Sequence, residues 1–220
     1  MTTIYEQKKL CAICGSESEY TGIGSTNTFG SADLDTRPPE MKRSTMFAWV
    51  ERCPQCGYCN HDVSKSFPEA QAIVNGEEYK GQLNDLSCPD LANTFLCVAM
   101  LDREKANYNL ATWDLIRAAW VCDDAGKLEQ AKECRKKAVA MLSVAQEHGE
   151  RIGSDDRSNT AMLVDLLRRS GQAEKARQIL AAQPEGAEAD VISRVLSFQR
   201  VLLDRNDVAC HTIAEALGVN

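Results

Sequence analysis

The chain of 220 residues has few of the features that usually carry catalysis. Its only histidines are His61, His148 and His211, so side chains for imidazole-based acid/base chemistry are scarce. No glycine-rich phosphate loop precedes a predicted helix, and no serine motif of the hydrolase type is present. These absences favour a protein that is not an enzyme.

The sequence also lacks an excess of positive charge. Lys and Arg number 25 against 32 Asp and Glu, a net charge of −7, whereas binding to nucleic-acid phosphates requires clustered basic residues. The opening "MTTIYEQKKLCAIC" has no signal-peptide-like apolar run, and no segment reaches membrane-spanning length. We therefore expect a cytoplasmic protein without a membrane partner, in a compartment where thiols stay reduced.

Cysteine, by contrast, is abundant, with ten in the chain. Cys11 and Cys14 lie in "CAICG", and Cys53 and Cys56 lie in "CPQCG", so each pair is a Cys-x-x-Cys followed by glycine. Two such turns supply the closed tetrahedral shell of four sulfurs that is typical of structural zinc. The sequence therefore predicts one structural Zn²⁺ bound by these four cysteines.

The composition of the first 67 residues supports a structural role for the metal. The stretch "GIGSTNTFGSADLDTRPPE" has too little apolar content to fold alone. A structural zinc ion contributes about 10–16 kcal/mol in small peptides, enough to hold such a loop. The run "MFAWVERC", with its aromatic and β-branched residues, predicts a strand leading to Cys53.

The same Cys-x-x-Cys spacing also occurs in other kinds of site. The two motifs also resemble the turns of rubredoxin, in which four sulfurs bind one iron. A dithiol redox site would require Cys-x-x-Cys at the start of a helix beside a βαβ pattern, which is absent. An open catalytic zinc usually has three protein ligands and a water, whereas four thiolates leave no vacancy.

The remaining cysteines and one histidine are weaker candidates. Cys59 and His61 follow the second motif and could ligate the metal or support its ligands, although a packed thiol and a surface imidazole are the simpler interpretation. Four more cysteines fall in helical patterns and are expected in the core, and a fifth precedes a helix: Cys97, Cys122, Cys134 and Cys210, then Cys88.

From Pro68 onward the periodicity becomes helical, which predicts a metal-binding module at 1–67 and a helical domain at 68–220. Apolar stripes predict the first helices: Leu91, Phe95, Val98 and Leu101, then Leu110, Trp113, Ile116 and Trp120, then Leu128, Ala131, Cys134, Ala138 and Leu142. Further helices are predicted within 156–171, 172–183, 189–204 and 208–218. The fold class is therefore mainly α, with a small β-containing N-terminal module.

A weak repeat joins two of these helical segments. "AGKLEQAKE" and "SGQAEKARQ" share Gly, Glu and Ala at fixed offsets, with Gly126 and Gly171 each following an apolar helix. This resembles the tetratricopeptide (TPR) helix pair, although the glycines are separated by more residues than that repeat usually has. A third stretch, "LDRNDVACH", lacks the glycine. We expect a TPR-like antiparallel helical array.

A longer pattern resembles a family of uncharacterised bacterial proteins, a domain-of-unknown-function family. The pattern is Cys-x-x-Cys-Gly, then Asp-Leu-Asp-x-Arg-Pro at 33–38, then Cys-Pro-x-Cys-Gly-Tyr at 53–58, followed by "WDLIRAAWVCDDAG". The resemblance covers most of the chain. It implies a zinc-ribbon-like N-terminus and TPR-like helices, and it brings no established activity.

Asp33, Asp35 and Arg37 form a polar cluster within that pattern. They could bind a polar ligand or perform acid/base chemistry, but we favour a structural role in which the carboxylates cap backbone amides and Arg37 ties the loop by a salt bridge. The residues from Asp33 to Met41 would then present a surface held in shape by the metal.

The function that these patterns favour is a non-enzymatic scaffold that binds a protein or peptide on its helical surface. The alternatives are a nucleic-acid-associated zinc-ribbon protein, for which the spot formed by Lys42, Arg43, Phe47 and Trp49 is the best surface, or a rubredoxin-like iron protein. Nothing in the sequence indicates an oligomeric state.

Overall fold

The structure, a computed structural model, describes residues 1–183 and 190–219. The described residues are mainly helical, and their antiparallel strands all lie in the first 60 residues. None of the described helices is long and apolar enough to cross a lipid bilayer. The helices are α1 (Ala70–Asn75), α2 (Glu77–Leu83), α3 (Asp90–Glu104), α4 (Tyr108–Asp124), α5 (Leu128–Glu147), α6 (Asp156–Arg169), α7 (Ala173–Ala181), α8 (Val191–Asp204) and α9 (Ile213–Leu217).

The N-terminal part is built from two antiparallel hairpins. Strands β1 (Thr3–Leu10) and β2 (Glu17–Ser25) pair in the first, and the short strands β3 (Glu51–Arg52) and β4 (Cys59–Asn60) pair in the second. The turns at 11–16 and 53–58 therefore each close one hairpin, and each turn contains one Cys-x-x-Cys motif. The first hairpin was not predicted from the sequence.

The strand predicted for "MFAWVERC" is wrong over most of its length. A 3₁₀ helix covers Arg43–Ala48, and only Glu51 and Arg52 pair with a neighbouring strand. Met46 and Val50 are buried and lie about one helical turn apart, which fits this helical geometry. The indole N–H of Trp49 donates to the Thr45 hydroxyl at 3.0 Å, which closes that turn.

The predicted helical array is confirmed. From α3 onward, consecutive helices pack on one another, and the short connections at 105–107, 125–127 and 170–172 make their neighbours run antiparallel. The prediction missed α2 and placed two exposed residues, Leu110 and Leu128, on buried stripes. Both lie in the first turn of a helix, at an end of the packed helical array. Residue 189 of the predicted segment 189–204 lies outside the described residues.

One turn recurs between the helices. After α3, α4, α6 and α8, one residue has positive φ, and the next donates its backbone N–H to the carbonyl five residues earlier. Glycine is in this position at Gly126 and Gly171, which explains the repeat seen in the sequence. Asn206, in the third stretch, has φ of 53° and forms the same turn, because asparagine tolerates the left-handed conformation.

The same position after α3 holds Ala106, with φ of 56°. Because alanine has a Cβ that disfavours this conformation by about 1–2 kcal/mol, Ala106→Gly is expected to raise the free energy of unfolding by about 1 kcal/mol. The matched control is Ala125→Gly at an exposed residue with φ of −85°, where the added flexibility should lower stability instead. Urea denaturation of both variants checks this, and a decrease for Ala106→Gly would contradict it.

The hairpins and helices share a core. One buried cluster runs from Tyr58 and the hairpins through Phe95 of α3 and Ile116 of α4 to α6. A second cluster joins α6 to α9 and contains Leu34 from the N-terminal loop. The division at residue 67 stays a prediction, and the chain on both sides of it contributes to each cluster.

Candidate metal centre

The sulfur atoms of Cys11, Cys14, Cys53 and Cys56 all lie within 4.8 Å of one another. The Cys11–Cys56 and Cys14–Cys53 sulfur distances are both 3.7 Å. In a tetrahedral site with metal–sulfur bonds of about 2.3 Å, the sulfurs are about 3.8 Å apart, whereas a disulfide bond measures about 2.0 Å. The four thiols are therefore spaced to share one ion, and all ten cysteines of the chain are free.

Both cysteine turns have the same backbone design. Cys11 accepts the N–H of Gly15 at 2.8 Å and donates its own N–H to the carbonyl of Ser16 at 2.9 Å. Cys53 makes the same pair of bonds with Gly57 and with the residue after it, at 2.9 and 2.8 Å. Gly15 and Gly57 have φ of 70° and 76°, which other residues rarely adopt. This geometry turns both sulfurs of each motif to one side.

The second turn packs against α2. A Cβ added to Gly57 would lie 2.5 Å from a methyl carbon of Leu83, so a larger residue here would force the Leu83 side chain to shift. The hydroxyl of Tyr79 donates to the Gly57 carbonyl at 3.2 Å and accepts the N–H of Cys59 at 2.9 Å. The helical part of the chain thus holds the second cysteine turn in place.

A polar network joins the two hairpins beside the sulfurs. Ala12 in the first turn donates its N–H to the carbonyl of Val63 at 2.8 Å, and Val63 donates to the Glu51 carboxylate at 2.9 Å. The ammonium of Lys9 donates to Glu51 at 2.7 Å and to Asp62 at 3.1 Å. The two motifs, separated by about 40 residues of chain, are brought together by these contacts as well as by any ion.

Ser16 contributes to the electrostatics of the sulfurs and was missed in the sequence analysis. Its hydroxyl lies 3.0 Å from the sulfur of Cys14 and 3.4 Å from that of Cys53. Hydrogen bonds from this hydroxyl and from the Ser16 backbone lower the pKa of Cys14 to about 6. The hydroxyl directly after the "CAICG" motif was the available signal, but serine there has many other roles.

Burial acts in the opposite direction on two of the sulfurs. It raises the pKa of Cys11 and, more strongly, that of Cys56. Four thiolates at these distances repel one another, so the set cannot be fully ionised unless a cation lies between them. A divalent ion with a preference for sulfur would supply that charge, and the residues present fit such an ion.

Cys59 and His61 lie outside the group of four sulfurs. Cys59 is fully buried, and its thiol donates to the Gly57 carbonyl at 3.3 Å, so it contacts the backbone of the second turn. The ring nitrogens of His61 contact the Trp49 carbonyl and Asp114 of α4. A ligand or supporting role for either at the sulfur centre stays a prediction.

The other cysteines are placed mostly as expected. Cys97, Cys122 and Cys134 are buried on helices, and Cys88 is half-buried just before α3. The expectation for Cys210 is wrong, because this residue is exposed and precedes α9. The polar stretch that follows α8 carries it outside any helix.

The loop containing Asp33, Asp35 and Arg37 is buried and contacts the helical array. Asp35 accepts hydrogen bonds from the indole of Trp120 at 2.7 Å and from the guanidinium of Arg169 at 3.0 Å. Arg37 donates to an aspartate of α4 at 2.5 Å, and Asp33 accepts from Arg43 at 2.7 Å. The expectation that these residues form part of a presented surface is therefore wrong. They are buried, and their charged groups form hydrogen bonds and ion pairs with α4, α6 and the 3₁₀ helix.

This loop also holds the end of the described chain. Leu34 donates its N–H to the carbonyl of His211 at 2.9 Å, and Ile213 donates to the carbonyl of Ala32 at 2.9 Å. Asp33 forms an isolated bridge with Thr212. The predicted salt bridge of Arg37 exists, but it runs to Asp124 and not within the loop.

A groove lies on the helical array, away from the sulfurs. It encloses about 630 Å³ between α2, α3, α4 and α5. Its apolar lining comes from Leu96, Ala99, Met100, Leu115, Ala140, Met141 and Val144. Its charged lining residues are acidic residues of α2 and its following turn, together with Arg103 of α3 and Lys137 of α5.

Comparison with known proteins adds no assignment: the chain matches no protein-family model, no curated protein and no solved structure. Its resemblance to an uncharacterised bacterial family, and of its helices to TPR pairs, stays a prediction. The function must therefore be inferred from the residues of this chain.

Proposed function

We propose that the protein is a non-enzymatic interaction protein in which a structural zinc ion stabilises a ribbon-like module beside a TPR-like helical array. The observation that supports a metal site is the convergence of four sulfurs from two hairpin turns. Two of the sulfur–sulfur distances, Cys11–Cys56 and Cys14–Cys53, are 3.7 Å. Four protein ligands complete a tetrahedral shell, so the ion has no open position for a substrate. Its role is then to hold the hairpins together.

The groove on the helical array supports the second half of the proposal. A volume of about 630 Å³ accommodates several side chains of a bound segment. Met100 and Met141 line it, and methionine adapts its shape to different apolar partners. The occupant that fits is an amphipathic helix with apolar residues on one face and charged residues at both edges.

The binding test uses a library of amphipathic helical peptides displayed against the metal-loaded protein. We expect enrichment of peptides with apolar residues at helical spacing. Met141→Arg should lower their affinity at least about tenfold, because it places a charge in the apolar lining of the groove. The control is Val201→Arg, which places the same charge at an exposed apolar position of α8.

Two results would contradict the interaction role. One is the absence of any enriched peptide for the folded, metal-loaded protein. The other is equal binding by Met141→Arg and the wild type, which would place the peptides elsewhere on the surface. Because metal content is measured on the same samples, failure of the groove is distinguishable from failure of the metal centre.

The surface offers less support for nucleic-acid binding. In the spot of Lys42, Arg43, Phe47 and Trp49, the guanidinium of Arg43 already donates to Asp33 and to the Pro38 carbonyl. Phe47 is exposed and available for stacking. Retention on a labelled oligonucleotide at two salt concentrations tests this alternative, and binding that weakens steeply with salt would favour it.

A further inference from the structure

A second group of metal-ligating side chains lies where the hairpins meet the helices. One ligand atom each from His61, Asp102 and Asp114 lies within 4.8 Å of the others. His61 follows β4, Asp102 lies on α3 and Asp114 lies on α4. The two aspartates are buried, and each has one cationic partner, Lys105 for Asp102 and Arg117 for Asp114.

The hydrogen bonds of His61 indicate where a positive charge is needed. Its Nδ1 lies 2.9 Å from the carbonyl oxygen of Trp49, which can only accept, so Nδ1 carries the proton. In the neutral ring, Nε2 then presents a lone pair to a carboxylate oxygen of Asp114 at 3.1 Å. Two acceptors at this distance require a proton or a metal ion between them. A carbonyl on the far nitrogen is also the usual support of a metal-bound histidine.

Asp102 supplies an independent observation. One of its oxygens pairs with Lys105, and the other, Oδ2, is buried without any hydrogen-bond partner. Leaving a buried polar atom unpaired costs about 1–3 kcal/mol, and more when the group is charged. On Asp114, one oxygen accepts from Arg117 at 2.7 Å and the other faces His61. Each carboxylate is thus oriented by a cation on one oxygen and has a second oxygen to offer.

Solvent reaches one member of this group, His61. The His61 side chain is 34% exposed, and its residue lines a cavity of about 300 Å³ between the first hairpin and the 3₁₀ helix. The same cavity is lined by Lys9, Trp49 and Glu51. An ion would approach from this cavity through His61, because the two aspartates are buried behind it and do not line the cavity.

We propose that His61, Asp102 and Asp114 form a second, exchangeable site for a divalent first-row transition-metal ion. With metal–ligand bonds of about 2.0–2.2 Å, adjacent donors of one ion are about 2.8–3.5 Å apart, so the His61–Asp114 distance already fits and Asp102 needs a small side-chain rotation. One nitrogen and two oxygens suit Zn²⁺, Co²⁺ or Mn²⁺ and leave positions for water. Lys105 and Arg117 reduce the net negative charge, so this ion binds more weakly than the one at the four sulfurs.

The test begins with full-length protein whose cysteine centre is loaded with zinc. Equilibrium dialysis against Co²⁺, with zinc and cobalt measured separately, should give about one cobalt per chain while zinc stays at about one. Asp102→Asn and His61→Gln should each weaken cobalt binding at least tenfold, because the first removes the negative charge of a ligand and the second removes the imidazole nitrogen. Asp90→Asn, at an exposed carboxylate on the same helix, should leave it unchanged.

Three outcomes would overturn the proposal. The first is no cobalt uptake by the wild-type protein. The second is cobalt uptake that Asp102→Asn and His61→Gln leave unchanged. The third is displacement of zinc by cobalt, with thiolate-to-cobalt absorption. If both variants fail to fold, the wild-type stoichiometry and spectrum decide alone: one cobalt per chain without thiolate absorption supports an N/O site, and either other result refutes it.

Discussion

Replacing Cys53 by serine is expected to remove the metal and to unfold the N-terminal hairpins. Cys53 supplies one of four sulfurs, and its neighbour at 3.7 Å is Cys14 of the other hairpin. A structural zinc ion contributes about 10–16 kcal/mol in small peptides, which is as large as the total stability of most domains, about 5–15 kcal/mol. Metal content should fall from about one ion per chain to nearly none.

Hydrogen–deuterium exchange locates the loss. In Cys53→Ser, or after removal of the metal by a chelator, the amides of β1 and β2 should lose protection, because the first hairpin has few other buried residues. The amides of α4 and α5 should keep most of theirs, since these two helices pack on each other along their length.

Cys59→Ala is the matched control for this experiment. Cys59 is in the same stretch of chain and is fully buried, but its thiol contacts the Gly57 carbonyl and lies outside the four-sulfur group. We expect this variant to keep its metal, with a modest loss of stability from the missing sulfur. Full metal content in Cys53→Ser, or loss of metal in Cys59→Ala, would show that the ligand set is wrong.

The second large effect is expected at Asp35. Asp35→Ala leaves the guanidinium of Arg169 buried with one fewer carboxylate and leaves the Trp120 indole N–H unpaired. Breaking a buried ion pair by removing one partner costs about 3–5 kcal/mol, so the free energy of unfolding should fall by that amount. Urea denaturation followed by circular dichroism measures it.

A double-mutant cycle separates this pair from its surroundings. Arg169→Met removes the other charge, and the double variant Asp35→Ala/Arg169→Met should be clearly more stable than the sum of the two single losses predicts. Arg169 also pairs with Asp123 at 2.7 Å, so Arg169→Met alone is expected to be destabilising too. A loss below about 1 kcal/mol in Asp35→Ala would mean that the loop does not depend on this contact.

The clustering of the four cysteines could be predicted because its signal is local. Each motif places two sulfurs three residues apart with a glycine after them, and the structure gives both turns the same hydrogen bonds. Most helices were predicted for a similar reason. Apolar residues such as Phe95 and Ile116 recur at helical spacing in the sequence, and the structure buries both.

The interactions that could not be predicted join distant parts of the chain. Asp35 and Arg169 are separated by 134 positions, and nothing near either residue indicates the other. His61 meets Asp114 in the same way, across 53 positions. For "MFAWVERC", composition favoured a strand. Within 1–183 and 190–219, however, only its Glu51 and Arg52 have a partner strand, and the first part of the segment belongs to a 3₁₀ helix.

The most direct test of the proposed function is the metal content of wild-type protein, purified without chelator and dialysed against metal-free buffer to empty exchangeable sites. We predict about one zinc ion per chain and no absorption in the visible range, as expected for four thiolates around a d¹⁰ ion. One iron per chain with a red thiolate-to-iron absorption would contradict this and indicate an electron carrier. The absence of any metal, with thiols that oxidise in pairs, would contradict it as well.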